Sequence, residues 1–262
     1  MQHEHPAMEI SAAAPVKKDR FLPVSILIAA VVIGGAIVFS TLYHPGAAPS
    51  AGTGTNPSGG TGTAGETAGS LTPSQVMTLG SRDEVLGSAN APVTMIEYGD
   101  YQCPYCGLFF SQTEPQIIQN YVNTGKVRLI FRNFPFLGPE STAAAEAAEC
   151  ATDQGKTWAY HDALYQAKVG DVAKGGSEDD GFFTRAEFLA LAQKTGLDVT
   201  KFTQCVDNNA DSNVVSADVS SAAAAGVNST PTFFINGTQV LGANPYATFQ
   251  QAIETALKAA GK

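Results

Sequence analysis

The sequence predicts an α/β fold for residues 75–262, and three observations carry that expectation. An apolar run, Val93-Thr94-Met95-Ile96-Glu97-Tyr98, leads into a helical stretch that opens at Cys103, and a second apolar run follows from Val127 to Phe134. Several helical segments then succeed one another with no strand between them. The chain closes on Thr232-Phe233-Phe234-Ile235, the hairpin signal Asn236-Gly237 and a last helical stretch.

Taken in order, the elements are a buried strand at 92–98, a helix from 103 to about 122, and a strand at 127–134. Pro104 suits the first helical turn, where its missing N–H costs no hydrogen bond and its fixed φ is already helical. An all-helical insert of about 138–210 comes next: the Ala-rich 141–152, then 157 to about 168, 184–195 and 199–208, broken by the Gly/Asp-rich 170–181. A helix at about 212–225 leads to strands at 232–235 and 238–241, joined through Asn236-Gly237, and to a closing helix at about 246–260.

With 262 residues, 44% of them apolar, the chain can bury one full core, yet its N-terminal part has a different composition. Phe21 to Tyr43 holds no charge over 23 residues, enough to cross a hydrocarbon layer of about 30 Å. A cleaved signal peptide is the rival, but its apolar region usually spans about 7–15 residues, and Pro45-Gly46-Ala47-Ala48-Pro49 is a poor cleavage site. Lys17, Lys18 and Arg20 precede the span and no Lys or Arg follows until Arg82, which puts residues 1–20 in the cytoplasm and everything after Tyr43 outside. Residues 44–74 are mostly Gly, Ser, Thr, Ala and Pro and read as a disordered linker with a root-mean-square reach of roughly 30 Å. Because the charges of residues 1–20 cancel, the net charge of −9 lies on the exported part, which argues against nucleic acid or anionic lipid as partners.

The chemistry centres on Cys103-Pro104-Tyr105-Cys106. Two thiols at this spacing can close into a disulfide and reopen within one helical turn. The attacking species is the thiolate, which a helix N-terminus stabilises through its unpaired N–H groups and the positive end of its dipole. Cys103 is therefore expected to have a lowered pKa, in the range of roughly 3.5–7.5 found at such positions. Cys106, a turn deeper, is the resolving thiol.

Residues 97–107, Glu97-Tyr98-Gly99-Asp100-Tyr101-Gln102-Cys103-Pro104-Tyr105-Cys106-Gly107, with the downstream segment Gly226-Val227-Asn228-Ser229-Thr230-Pro231-Thr232-Phe233-Phe234-Ile235-Asn236-Gly237, resemble the DsbA family of exported thiol–disulfide oxidoreductases, above all its membrane-anchored, thioredoxin-like members. The likeness extends over residues 75–262 and includes Trp158-Ala159-Tyr160-His161-Asp162. It implies a thioredoxin fold with a helical domain inserted between its halves. It also implies that Thr230-Pro231 faces the two cysteines with the proline cis, where free peptide groups can pair with an extended substrate. Glu97 matches the family's buried acid beneath the disulfide, able to relay the proton of Cys106; a strand-end glutamate in water is the plainer alternative. Tyr105 departs from the strongest oxidases, which carry histidine there, so a disulfide reductase or isomerase stands beside the oxidase reading. The implied partners are exported proteins with cysteines and a membrane redox partner that resets the pair, with no metal or organic cofactor. A monomer is favoured, because residues 44–74 are too polar to build a dimerising domain.

Cys150 and Cys205 fall in the insert and, in an exported domain, are expected to pair; some DsbA relatives carry such a pair. Closing a loop of about 56 residues would add roughly 4 kcal/mol on chain-entropy grounds. Two buried free thiols are the alternative. A four-cysteine zinc site fits poorly, because only one of the two pairs is closely spaced. A peptide-holding chaperone using the groove near Pro231 is a further, non-catalytic reading. His161 reads as a packed helix residue without a role, and the acceptor patterns at Asn228 and Asn236 read as accidental for glycosylation.

Overall fold

Strand β2 (Val93–Gly99) is buried along its whole length, as an apolar strand at the middle of a covered sheet must be. The structure is a computed structural model that describes residues 71–262. The expected cytoplasmic tail, the span at 21–43 and most of the linker lie outside the described residues. Among the described residues no helix is long and apolar enough to cross a membrane.

Five strands form one sheet in the order β1-β3-β2-β4-β5, with β1 (Leu86–Gly87), β3 (Val127–Asn133), β4 (Thr232–Ile235) and β5 (Thr238–Leu241) around β2. β3 runs parallel to β2, while β4 is antiparallel to it, pairing Glu97 with Phe233. Strand β1 is new relative to the sequence reading. Its Gly87 has φ +102°, and a Cβ there would lie 3.0 Å from the Val127 carbonyl oxygen and 2.7 Å from a Val122 methyl, so the edge closes only around glycine. The hairpin between β4 and β5 turns on Asn236 (φ 45°) and Gly237 (φ 88°). Asn236 also clips the hairpin to β2, accepting from the Thr94 N–H at 2.8 Å and donating to the Pro92 carbonyl at 3.1 Å.

Side chains alternate across the sheet. Val93, Met95, Val127, Leu129, Phe233 and Ile235 pack under α2 (Pro104–Gln112), α3 (Glu114–Ile117) and the closing α9 (Tyr246–Ala259). Ile96, Tyr98, Ile130 and Phe234 face the other way, onto α8 (Ser212–Ala224) and the short α1 (Pro73–Val76). The insert, α4 (Pro139–Thr152), α5 (Thr157–Val172), α6 (Arg185–Lys194) and α7 (Val199–Asp207), builds its own core of small and aromatic residues, which Cys103, Cys106 and Phe110 join at one edge.

Two boundaries differ from the sequence reading. The single helix expected from 103 to about 122 breaks at Thr113 and ends as a π turn over Ile118–Val122. Pro115 is the cause, since it has no N–H for the carbonyl four residues back and its ring crowds that position. Residues before 75 are also built into the fold. The Leu71 N–H donates to the Ala224 carbonyl at 2.7 Å, and Thr72 and Gln75 form a reciprocal capping box on α1.

Cys150 on α4 and Cys205 on α7 are joined by a disulfide with Cα atoms 5.8 Å apart. That bridge takes both sulfurs a four-cysteine zinc site would need.

Candidate active site

The site is built where β2 runs out. Cys103 is the N-cap of α2, in extended conformation (φ −68°, ψ 120°), and Pro104 opens the first turn. An N-cap has no intrahelical partner for the N–H groups that follow it, so those groups are free to face a thiolate. Cys106 follows one turn on and is fully buried, whereas Cys103 keeps 6% of its surface. Both are free thiols.

Across from them the Thr230–Pro231 peptide is cis, and the Cys103 Sγ lies 3.5 Å from the Thr230 carbonyl oxygen. Neighbouring donors stabilise the Cys103 thiolate: chiefly the Cys106 thiol, then Thr230 and the N–H groups of Cys106 and Tyr105. Against the opposing effect of burial, they pull its pKa down from 9.0 to about 6. Cys106 moves the other way, held protonated first by burial and then by the Cys103 sulfur. The pair is therefore asymmetric, with one thiol ready to ionise and one kept neutral.

Glu97 is a buried acid, not a strand end in water. Its alternation with Met95 and Gly99 turns it under α2, flanked in the sheet by Phe131 and Phe233, and only 3% of it is exposed. A side chain at Gly99 would overlap the Phe131 ring and lie 3.1 Å from Glu97 Oε1, so glycine leaves the space the carboxyl occupies. Oε1 has no hydrogen-bond partner among the described residues. Burial, and then the Cys103 sulfur, raise its pKa well above the carboxylate range.

Tyr105 projects into solvent at 63% exposure and donates no side-chain contact to either sulfur. His161 is buried in an aromatic nest with Tyr101, Phe110, Phe131, Trp158 and Tyr165, and its Nδ1 lies 3.2 Å from the Tyr101 hydroxyl. Cys150 and Cys205 stand apart, in the insert.

Sequence reasoning assigned nothing to three buried polar residues here. Asp100 accepts from the N–H groups of Gln102, Phe136 and Leu137 at 2.9, 3.0 and 3.3 Å, and its carbonyl accepts from Cys103 N–H at 3.0 Å and from the Tyr165 hydroxyl at 3.3 Å. Gln102 turns its side chain into the insert. Glu114, at the break after α2, is buried, and burial first, then Glu97 and Asp162, push its pKa well above the carboxylate range. The one advance signal was their place beside a Cys-x-x-Cys; helix periodicity gives no sign that Glu114 points inward.

Residues 81–255 match the family model described as thioredoxin. The chain belongs to the thioredoxin family. Among relatives of this thioredoxin-family chain, the probable disulfide bond formation protein D of Bacillus cereus is 32% identical over 181 residues, covering 68% of this chain and 80% of that protein. Oxidised BdbD from Bacillus subtilis superposes with a TM-score of 0.62 at 27% identity, covering 68% of this chain and 94% of that one. The Na(+)/H(+) antiporter NhaA 1 of Salinispora arenicola is 34% identical over 177 residues, 67% of this chain. The thioredoxin-family chain spans only a quarter of the length of that antiporter and of its Salinispora tropica counterpart. Its described domain is thus a DsbA-like thiol–disulfide oxidoreductase domain, with a thioredoxin fold and a helical insertion.

Proposed function

We propose that the protein is a membrane-tethered, extracytoplasmic oxidase that donates the Cys103–Cys106 disulfide to cysteines of newly exported proteins. The asymmetry of the pair carries this reading. A substrate thiolate attacks Cys103 Sγ, forming a mixed disulfide as the Cys103–Cys106 bond breaks. Cys106 leaves with the electron pair and takes up a proton, which Glu97 is placed to relay. A second substrate thiolate then attacks the substrate sulfur of the mixed disulfide and releases Cys103 as the stable thiolate. Two electrons and one proton, held on Cys106, thus pass to the enzyme while the substrate's other proton goes to solvent, and a membrane redox partner withdraws the electrons.

The direction follows from the thiolate. Whatever stabilises the reduced pair makes the disulfide a stronger oxidant, and Cys103 has its pKa lowered to about 6. The exposed, uncharged Tyr105 favours a second reading, a reductase, because it adds no positive charge beside the sulfur. Location rests on the uncharged run from Phe21 to Tyr43 with its preceding cations, and on the Cys150–Cys205 bridge, which suits an oxidising compartment. Polypeptide substrates suit the apolar side chains exposed beside the cysteines: Tyr105 and Leu108 on α2, and Leu241, paired in register with Thr232 next to Pro231. The Thr230–Pro231 loop would position such a chain, and the protein would act as a monomer.

Equilibrating the purified protein against glutathione buffers, with Cys150 and Cys205 paired, tests the reading. A midpoint near the roughly −120 mV of the strongest oxidant of this fold supports the oxidase, and one near about −270 mV supports the reductase. Failure of Cys103 and Cys106 to titrate overturns both.

Glu97→Gln is expected to slow the Cys106 half-reaction by about 10²-fold, the low end of what a positioned proton carrier contributes. Its stability signature is separate. A carboxyl whose folded pKa is raised contributes its stability in full below its unfolded pKa and loses it as pH rises through the folded pKa, so the variant should melt higher than wild type at alkaline pH and equally in acid. Melting curves at both extremes, with single-turnover exchange rates, check the pair of effects.

A further inference from the structure

We propose that Gln102 is a positioning residue that ties the Cys103 segment to the helical insert and thereby holds the nucleophile opposite Thr230. The inference rests on the exchange reaction proposed above. Gln102 immediately precedes Cys103, yet its side chain is directed away from the reacting sulfur and is only 1% exposed. Both ends of the amide are used. Oε1 accepts from the Ser141 hydroxyl at 2.7 Å, and Nε2 donates to Glu140 Oε2 at 3.1 Å and to the Glu178 carbonyl at 2.5 Å.

These partners are themselves held. Glu140 accepts from the N–H groups of Gly181 at 2.6 Å and Phe183 at 3.0 Å. The loop containing Glu178 is pinned from behind by the buried Lys168, whose Nζ donates to the Ser177 carbonyl at 2.6 Å and pairs with Asp180 at 3.0 Å. On the sheet side the Gln102 N–H donates to Asp100 Oδ1 at 2.9 Å. Cys103, as an N-cap, has no helical ladder before it, and its own N–H reaches only the Asp100 carbonyl. The position of its sulfur therefore depends on the residue beside it. Only an amide of this length offers one acceptor and two donors in the required places; a glutamate would set a second carboxylate against Glu140, and an apolar side chain would remove all three bonds.

Gln102→Met keeps length and removes the bonds. Ser141→Ala, on α4, removes the bond to Oε1 together with the hydroxyl's interaction with the Asp100 carboxylate. In reduced full-length protein, the pH dependence of Cys103 alkylation gives the thiolate midpoint, which a merely structural role would not move. The ionisable groups facing Cys103 are Cys106 from α2 and Glu97 from β2, and both are unchanged in these variants. For Gln102→Met the midpoint should rise by about one pH unit, with about tenfold slower alkylation and exchange below it. Ser141→Ala should move both in the same direction by less. If both variants fold and keep the midpoint and rates within about twofold of wild type, the inference is overturned. A wild type that is alkylated normally but exchanges with no disulfide would instead overturn the proposed function, leaving the Gln102 comparison readable.

Discussion

Cys103→Ser should abolish disulfide exchange, while Cys106→Ser should still attack and then accumulate as a mixed disulfide. Removing a nucleophile costs on the order of 10⁴–10⁶ in rate in enzymes where it acts as part of a unit, and no other sulfur in the site can substitute, because Cys106 is fully buried and held protonated. The two variants, in reduced form, are checked by stopped-time trapping and mass measurement against a disulfide-bonded peptide, one sulfur of which leaves as its thiolate when Cys103 attacks the other. A peptide-holding chaperone would keep its activity in both, so retained activity in Cys103→Ser would remove the enzyme reading. The same assay has a pH signature. The thiolate of Cys103 is present above its folded pKa and lost as pH falls through about 6, so the attack rate of the reduced enzyme should halve there.

Asp83→Ala should cost the domain more stability than any surface change of similar size. Arg132 on β3 is buried, and Asp83 meets its guanidinium with both oxygens, at 3.0 Å to Nε and 2.6 Å to Nη2. The remaining donors go to the Tyr98 hydroxyl and to the Val76 and Thr78 carbonyls at 2.9, 3.1 and 2.8 Å. Removing one partner of a buried pair leaves an uncompensated charge and costs roughly 3–5 kcal/mol, or roughly 6–20 °C in melting temperature for a domain of this size. The pair Arg185–Asp207 is also doubly bonded, at 2.6 and 2.8 Å, but sits in solvent. Asp207→Ala should leave melting essentially unchanged, because water and salt screen such a pair. Thermal denaturation of both variants separates burial from bond count; equal losses would refute the argument.

Arg132 also shows where sequence reading runs out. In Val127-Arg128-Leu129-Ile130-Phe131-Arg132-Asn133 it looks like one of two interchangeable polar positions on a strand, and only the fold brings Asp83 and the end of α1 to it. The strands and the hairpin were legible because apolar runs and Asn236-Gly237 act locally, and the two cysteines because their spacing is itself the chemistry. Glu97 was legible as an acid in the resemblance to DsbA proteins, but its burial depends on Gly99 and Phe131 meeting it in space. The break after α2 was written in Pro115 and the start of the domain in the Thr72–Gln75 capping box, and both signals were overridden, by apolar content in the first case and by Gly/Ser/Thr composition in the second. β1 is two residues long, too short for any periodicity.

The pairing of cysteines has a consequence for biogenesis. Four cysteines allow three pairwise connectivities, and the bridge present, Cys150–Cys205, is the one that leaves the sequence neighbours Cys103 and Cys106 together as free thiols. A polypeptide threaded out N-terminus first meets each sulfur's proper mate as the very next one to emerge. In the exported protein proposed above, order of emergence would favour the Cys150–Cys205 bridge over a mismatched one.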